Sequence, residues 1–226
     1  MNRDRVLRQA PLFKGINDEA YQSLSSAMTV KTLRRGEVLF HEGDRGSEVY
    51  VVLEGKLKLG RHSSGGRENL LAVLGPGQMC GELSVFDPGP RSSTATAVTP
   101  CTLNVLEHSD LITWVTGRPE VARALLAQLA GRLRRANDVV SDLVFSDVPG
   151  RVAKALVDLA SRFGEETNAG LVVHHDLTQE ELAQLVGASR ETVNKALADF
   201  AARGWLRLEP RQVTILDLER VERRSR

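Results

Sequence analysis

Cysteine is scarce in this chain of 226 residues: Cys80 and Cys101 are the only two. Two thiols cannot hold an iron–sulfur cluster, which takes about four cysteine ligands. The start, Met1-Asn2-Arg3-Asp4-Arg5, is charged and leads into no apolar segment, so a secretory signal is not expected and the thiols should be reduced in the cytoplasm. Long apolar runs are missing too, and no stretch of about 18 apolar residues is available to span a membrane. Histidines are few and scattered: His41, His62, His108, His174 and His175 show no ligand spacing and no His-x-His set of the kind used by small metal-binding barrels. No metal is expected, and each histidine is read as a surface or packing residue. Ser84 and Ser92 have no histidine close in sequence to act as a base, which argues against a hydrolase. An excess of positive charge is absent as well. Net charge is +1. From Asp147 onward there are 12 Lys and Arg against 13 Asp and Glu, a net of −1. Any binding of nucleic acid must therefore rest on local clusters such as Arg190 with Lys195, or Arg203, Arg207 and Arg211. Repeats and low-complexity segments are not found.

The most informative stretch runs from Thr178 to Leu206. Thr178 can cap a short helix, with Glu181 three residues on as its capping-box partner. Leu182, Leu185 and Val186 form the apolar face of that helix, and Gly187 stands where a chain leaving a helix needs positive φ. Ser189 then caps a second helix whose Val193, Leu197 and Phe200 face inward. Arg190, Glu191, Asn194 and Lys195 are left pointing outward. These types can read base edges in a major groove: Arg guanine, Glu the amino group of cytosine, Asn adenine. Arg207 to Leu216 follows as two short strands around a turn at Pro210. Helix, turn, helix and β-hairpin together describe a winged helix-turn-helix, which enters the groove by the N-terminal end of its second helix. An ordinary helical hairpin would not need the wing.

Upstream, residues 30–107 are rich in short β-like runs punctuated by glycine. Val38–Phe40, Glu48–Leu53, Lys56–Leu59, Asn69–Leu74 and Thr102–Leu106 are strand candidates, and their spacing predicts a sandwich or barrel. Two short helices are expected before it, at about residues 4–10 and 17–27, the second capped by Asn17. A long helix should run from Arg118 to Phe145, with Pro119 in its first turn. Leu126, Leu129, Leu133, Ala136, Val140 and Leu143 recur at alternating spacings of three and four, a heptad seam suited to a dimer. The alternative is a core helix, since Leu125, Val139 and Val144 widen the stripe. Asp147-Val148-Pro149-Gly150-Arg151 breaks the helix, and Val152, Leu156, Leu159 and Phe163 mark the next one. The fold class is α+β, in three parts: residues 1–117 as a β-barrel domain, 118–146 as the long helix and hinge, and 147–226 as the winged helix-turn-helix.

One segment of the β-rich part is chemically unusual. Gly81-Glu82-Leu83-Ser84 offers backbone amides, a carboxylate and a hydroxyl. Arg91-Ser92-Ser93 adds a guanidinium beside two hydroxyls. Arginine presents a bidentate fork to phosphate, and Glu82 can accept from a ribose hydroxyl. Taken with this segment, two other motifs carry a resemblance: Asp147-Val148-Pro149-Gly150-Arg151 and Gly187-Ala188-Ser189-Arg190-Glu191-Thr192-Val193-Asn194-Lys195. In this order they resemble the cyclic AMP receptor protein family of bacterial transcription regulators, also called the Crp/Fnr family, and most of all its actinobacterial members.

The resemblance implies an N-terminal double-stranded β-helix (jelly roll) that binds cyclic nucleotide, a long dimerisation helix and a C-terminal winged helix-turn-helix. It implies that Gly81, Glu82, Leu83, Ser84, Arg91, Ser92 and Ser93 form the nucleotide pocket, with Arg91 and Ser92 on the cyclic phosphate and Glu82 on the ribose. Adenine would be read from the long helix by Ala136 and Asn137. Asn137 keeps a polar group, whereas Ala136 lacks the hydroxyl many members have there, and Cys80 stands where related chains often carry an aromatic. Arg190, Glu191 and Lys195 match base-reading positions; Thr178, Gln179, Ser189, Thr192 and Asn194 complete the DNA-contacting set. The implied partners are cyclic AMP, a pseudo-palindromic double-stranded DNA with a TGTGA-like half-site, a second copy of the chain and RNA polymerase, with no membrane. A member of the family answering instead to cyclic GMP or a redox signal, or acting constitutively, is the alternative reading.

Overall fold

The computed structural model describes residues 3–10, 13, 16–62 and 68–225. The chain divides into two compact units, Met1–Arg61 with Leu71–Arg135, and His62–Leu70 with Ala136–Arg226.

The first unit opens with α1 (Arg3–Gln9) and α2 (Asp18–Ala27). Asn17 caps α2 as expected, its side chain accepting from Ala20 N at 2.8 Å. The strands that follow are β1 (Thr29–Leu33), β2 (Val38–Phe40), β3 (Glu48–Glu54), β4 (Leu57–His62), β5 (Glu68–Leu74), β6 (Met79–Cys80), β7 (Thr94–Ala97) and β8 (Cys101–Glu107). A four-residue helix α3 (Leu83–Phe86) interrupts them, and α4 (His108–Gly117) follows. The strands form two four-stranded antiparallel sheets, ordered β1-β8-β3-β6 and β2-β7-β4-β5. The expected barrel is therefore corrected: among the described residues the two sheets do not close into one ladder. Short strands such as β6 and β2 leave sheet edges that their hydrogen bonds do not bridge.

β3 shows why the sequence reads as a continuous apolar run. Side chains alternate faces along a strand. Val49, Val51 and Leu53 join a cluster with Leu7, Leu24, Leu111 and Leu125 from the helices. Tyr50 and Val52 turn the other way, to Leu57, Ala95 and Leu103. Strands β1, β6 and β7 were not foreseen. β1 (Thr-Val-Lys-Thr-Leu) is exposed at four of five positions, and β7 (Thr-Ala-Thr-Ala) carries no large apolar side chain. β1 lacks the hydrophobic alternation by which a strand is recognised, and in β7 the alternating apolar residue is only alanine, too small to signal one.

The long helix α5 (Pro119–Phe145) begins in the first unit and ends in the second. Val121 and Leu125 are buried, whereas Leu126, Leu133, Val140 and Leu143 are each more than half exposed. Leu129 is half-buried and Ala136 exposed.

The second unit holds α6 (Val148–Phe163), β9 (Gly164–Thr167), β10 (Gly170–Val173), α7 (Gln179–Val186), α8 (Arg190–Ala202), β11 (Leu206–Glu209), β12 (Gln212–Ile215) and α9 (Leu218–Arg224). Its sheet is ordered β11-β12-β10-β9. Val152, Leu156 and Leu159 of α6 are fully buried, as are Val193 of α8 and Val221 of α9. α6 packs on α7, α8 and α9 and so is the platform on which the two short helices sit. Among the described residues no helix is long and apolar enough to cross a membrane.

Candidate ligand cleft and nucleic-acid interface

A cleft with a cavity volume of about 40 Å³, partly open to solvent, lies in the first unit. Phe40, Leu59, Cys80, Gly81, Glu82, Leu83, Ser84, Arg91, Ser92, Ser93 and Arg132 line it. Pairing of β6 with β3 sets Cys80 opposite Tyr50, and so brings Gly81 and Glu82 to the start of β3. The backbone of Arg91 is pinned to the β2–β3 loop: Arg91 N donates to Asp44 O at 2.8 Å, and Gly43 N to Arg91 O at 2.9 Å.

The Arg91 side chain is only 4 % exposed, an unusual place for a guanidinium. Its Nη1 donates to Gly81 O at 2.8 Å and to Ser84 Oγ at 3.0 Å, and its Nη2 to Glu48 O at 2.8 Å. The Phe40 ring lies 4.4 Å below it. Room for this fork comes from two glycines. A Cβ on Gly81, whose φ is +88°, would fall 2.6 Å from Arg91 Nη1, and one on Gly46 would strike Nε and Cζ. A guanidinium has five N–H donors. The protein takes three of them, leaving Nε–H and one Nη2–H. Nε is buried and has no partner.

Glu82 is 1 % exposed. Its Oε1 accepts a short hydrogen bond from Arg132 Nη1 of α5, whose Nη2 is bonded to Met79 O. Its Oε2 is buried without a partner. Buried polar atoms are nearly always paired, so Arg91 Nε and Glu82 Oε2 are two unmet demands, one for an acceptor and one for a donor, on residues of the same cleft. A ligand with an anionic group and a hydroxyl meets both. Cys80 is fully buried, and burial, helped by the nearby Glu82 carboxylate, pushes its thiol up to about 12. Burial, and then the hydrogen bond to the Glu48 carboxylate, likewise raises the Tyr50 phenol well above its ordinary value.

The structure thus brings together Gly81, Glu82, Leu83, Ser84, Arg91, Ser92 and Ser93, with Ser92 exposed and Ser93 buried. Ala136 and Asn137 are exposed on α5 and are not among the lining residues. Sequence reasoning missed Arg132, Phe40 and Leu59. Arg132 had a signal: it lies four residues before Ala136, hence on the same face of the helix.

In the second unit the local motifs form as the sequence predicts. Thr178 caps α7 with a complete capping box: Glu181 N donates to Thr178 Oγ1 at 3.2 Å and Thr178 N to Glu181 Oε2 at 2.7 Å. Gly187 sits at φ +70° and ψ +43°, the left-handed cap. Ser189 caps α8, its Oγ accepting from Thr192 N at 3.2 Å, and its hydroxyl also pairs with that of Thr192 at 2.8 Å. Arg190, Glu191, Thr192 and Lys195 are exposed, as are Thr178, Gln179 and Ser189. Asn194 differs. It is half-buried, with Nδ2 donating to Gln179 Oε1 at 3.1 Å. The hairpin β11–β12 turns through Pro210 and Arg211, and Arg211 takes φ +62°.

Arg151 joins the hinge to the helix-turn-helix. Its guanidinium donates to Ser146 O at 2.8 Å, to Val186 O at 3.1 Å and to Gly187 O at 3.2 Å. One side chain therefore ties the end of α5 to the turn between α7 and α8. Beside it, Asp147 caps α6 by accepting from Gly150 N at 2.9 Å and pairs with Arg224 at 2.5 Å. That guanidinium, and then the Gly150 amide, hold the Asp147 carboxyl below its ordinary value.

A cleft lined by a buried arginine and a buried glutamate, and a winged helix-turn-helix on the same chain, define a class: a ligand-responsive DNA-binding regulator. Comparison with known proteins agrees. Residues 30–116 match the model of the cyclic nucleotide-binding domain, and residues 150–224 that of the Crp-like helix-turn-helix domain. The chain is 52 % identical over 223 residues, 99 % of its length and 100 % of the relative's, to the CRP-like cAMP-activated global transcriptional regulator of Mycobacterium tuberculosis. It is 36 % identical over 216 residues, 96 % of its length and 97 % of the relative's, to the cyclic AMP receptor protein of Thermus thermophilus. Among solved structures, FixK2 from Bradyrhizobium japonicum superposes with a TM-score of 0.79 at 25 % identity, covering 88 % of this chain and 98 % of that one. The chain belongs to the Crp/Fnr family and is a transcription regulator, not an enzyme.

Proposed function

We propose that the chain is a homodimeric regulator that binds cyclic AMP in the first unit and pseudo-palindromic DNA through the second. The observation that carries this reading is the pair of unmet buried atoms, Arg91 Nε and Glu82 Oε2. Arg91 would hold the cyclic phosphate with its remaining donors, with Ser92 and Ser93 beside it, while Glu82 accepts from the ribose hydroxyl and Arg132 pairs with its other oxygen. Gly81, Leu83 and Ser84 complete that wall. Ala136 and Asn137, one turn beyond Arg132 on α5, would face the base. In this reading the two sheets are the halves of a jelly roll, and the chain divides functionally into residues 1–117, 118–146 and 147–226.

The dimer seam is Leu126, Leu129, Leu133, Ala136, Val140 and Leu143, most of it uncovered in a single chain. Pairing two chains along α5 presents two copies of α8 to half-sites about one helical turn apart, roughly 34–36 Å. Arg190, Glu191 and Lys195 read bases, and Thr178, Ser189 and Thr192 hold the backbone. Ligand energy reaches DNA as a coupling between sites, of about 1–3 kcal/mol in typical cases. α5 and the Arg151 tie supply a continuous covalent and hydrogen-bonded route from the cleft's helix to the reading head. RNA polymerase is the further partner this function requires.

Calorimetric titration with cyclic AMP and with cyclic GMP, each with and without a palindromic operator, tests the proposal. Cyclic AMP should bind, and bind more tightly when operator is present, by the same factor that it tightens operator binding. Absence of cyclic AMP binding, or equal affinity with and without operator, would overturn it.

A further inference from the structure

We propose that Gln179 sets the base preference of α8 without reading a base itself. Its side-chain oxygen holds the Arg190 guanidinium in reading position, and Asn194 holds Gln179. The inference rests on the reading of α8 as the DNA-reading helix and adds a positioning residue to it.

Gln179 is the first residue of α7 and is exposed. Its Oε1 accepts from two side chains of α8, Asn194 Nδ2 at 3.1 Å and Arg190 Nη2 at 3.4 Å. Arg190 and Asn194 are four residues apart, so they rise from one face of α8. The scaffold beneath is packed: Leu182 and Val186 of α7 and Val193 and Leu197 of α8 are all buried. Three polar side chains on this packed base form one small network.

Its chemistry assigns different work to each member. To read adenine, an asparagine must present its oxygen and its nitrogen together to the base edge. Asn194 presents neither, because Oδ1 is buried without a partner and Nδ2 is engaged by Gln179. Arg190 stays exposed, and the bond to Gln179 uses one of its five donors, so a bidentate edge remains for guanine. An arginine side chain has many rotamers, and freedom removed before binding is not lost on binding. The acceptor is neutral and the bond long. It biases the rotamer without cancelling the positive charge, as a carboxylate at this position would.

The test uses the full-length protein with cyclic AMP present, measuring affinity for a selected operator and for its single-base-pair variants at several salt concentrations. Gln179→Met keeps side-chain length and removes the acceptor. It should lower discrimination by about 2- to 10-fold, the worth of one hydrogen bond, at the base pair that Arg190→Ala relaxes. It should leave the salt slope unchanged and add nothing in an Arg190→Ala background. Asn194→Ala should act in the same direction but less, with no fall in thermal stability, since it also removes a buried unpaired oxygen. Uniform weakening of all sequences with a shallower salt slope would make Gln179 a phosphate contact and overturn the proposal. Unchanged discrimination in Gln179→Met, or loss that adds to that of Arg190→Ala, would overturn it equally. The Arg190→Ala control separates the failures: if that variant selects the same motif as the parent, α8 is not the reader and the proposal falls with that reading.

Discussion

The cleft and the reading head are built on opposite plans. In the cleft the working groups are buried, and their partners are distant in sequence: Arg91 meets Glu48 across 43 residues, and Glu82 meets Arg132 across 50. On the reading head the working groups are exposed, and caps, turn and readers fall between Thr178 and Lys195, with each N-cap bond spanning three residues. A buried polar site is costly unless every group finds a partner, and here two unpartnered atoms lie on residues of one cleft, where a single ligand can meet both. An exposed polar face already has water as its partner, so its function must come from pattern and local charge. The first plan suits affinity for a small molecule and the second suits reading a long, charged one.

The contrast can be broken at the helix the two units share. Leu126→Glu with Leu133→Glu places like charges along the exposed seam of α5. The dimer should dissociate, and operator affinity should fall further than for any single-site change, because a monomer reads one half-site. Sedimentation showing an intact dimer would remove the seam from this interface.

Within the cleft, Arg91→Leu should weaken cyclic AMP binding by about 10- to 150-fold, the loss of a charge-assisted hydrogen bond of about 1.5–3 kcal/mol. Gly46→Ala sharpens the point, since it retains the charge yet sets a methyl group against the guanidinium. Calorimetry should show both losses. On the reading head, Arg190→Ala should cost roughly 1–3 kcal/mol per half-site and relax preference mainly at one base pair, while cyclic AMP binding in the absence of DNA stays as in the parent. Loss of cyclic AMP binding in Arg190→Ala, measured without DNA, would dissolve the distinction between the regions.

Smaller effects follow at the hinge. Asp147→Ala removes the cap of α6 and should lower stability by about 1 kcal/mol. The carboxyl is held below its ordinary value by Arg224 and the Gly150 amide. Its contribution is therefore complete above the ordinary carboxylate range and lost as pH falls through the depressed value. Because the group is largely exposed, the ion-pair share is screened and modest. Thermal melts of the parent and of Asp147→Asn, which keeps a capping oxygen, should converge as pH falls and separate slightly toward neutrality. The smallest effect is expected at Cys80. Burial pushes its thiol up to about 12, so the reactive thiolate is scarce at pH 8. Iodoacetamide should leave Cys80 unmodified in the native protein by mass spectrometry, and label it only on unfolding.

The sequence by itself determined what depends on neighbours a few residues away. The capping box at Thr178, the left-handed turn at Gly187, the caps at Asn17 and Ser189 and the seam spacing of α5 are local, and local stereochemistry enforces them wherever the chain lies. It also announced the residue types of the cleft, since Gly81–Ser84 and Arg91–Ser93 sit in two short runs. Tertiary structure alone decided how those types are used. No spacing shows that Gly46 makes room for Arg91 or that Asn194 is turned from solvent toward Gln179. Strands such as β1 and β7 were also invisible, because β1 is mostly exposed, β7 carries no large apolar side chain, and their place is set by ladder partners far along the chain. Each of these depends on pairings between distant segments, whose cost in loop closure is repaid only by the assembled core.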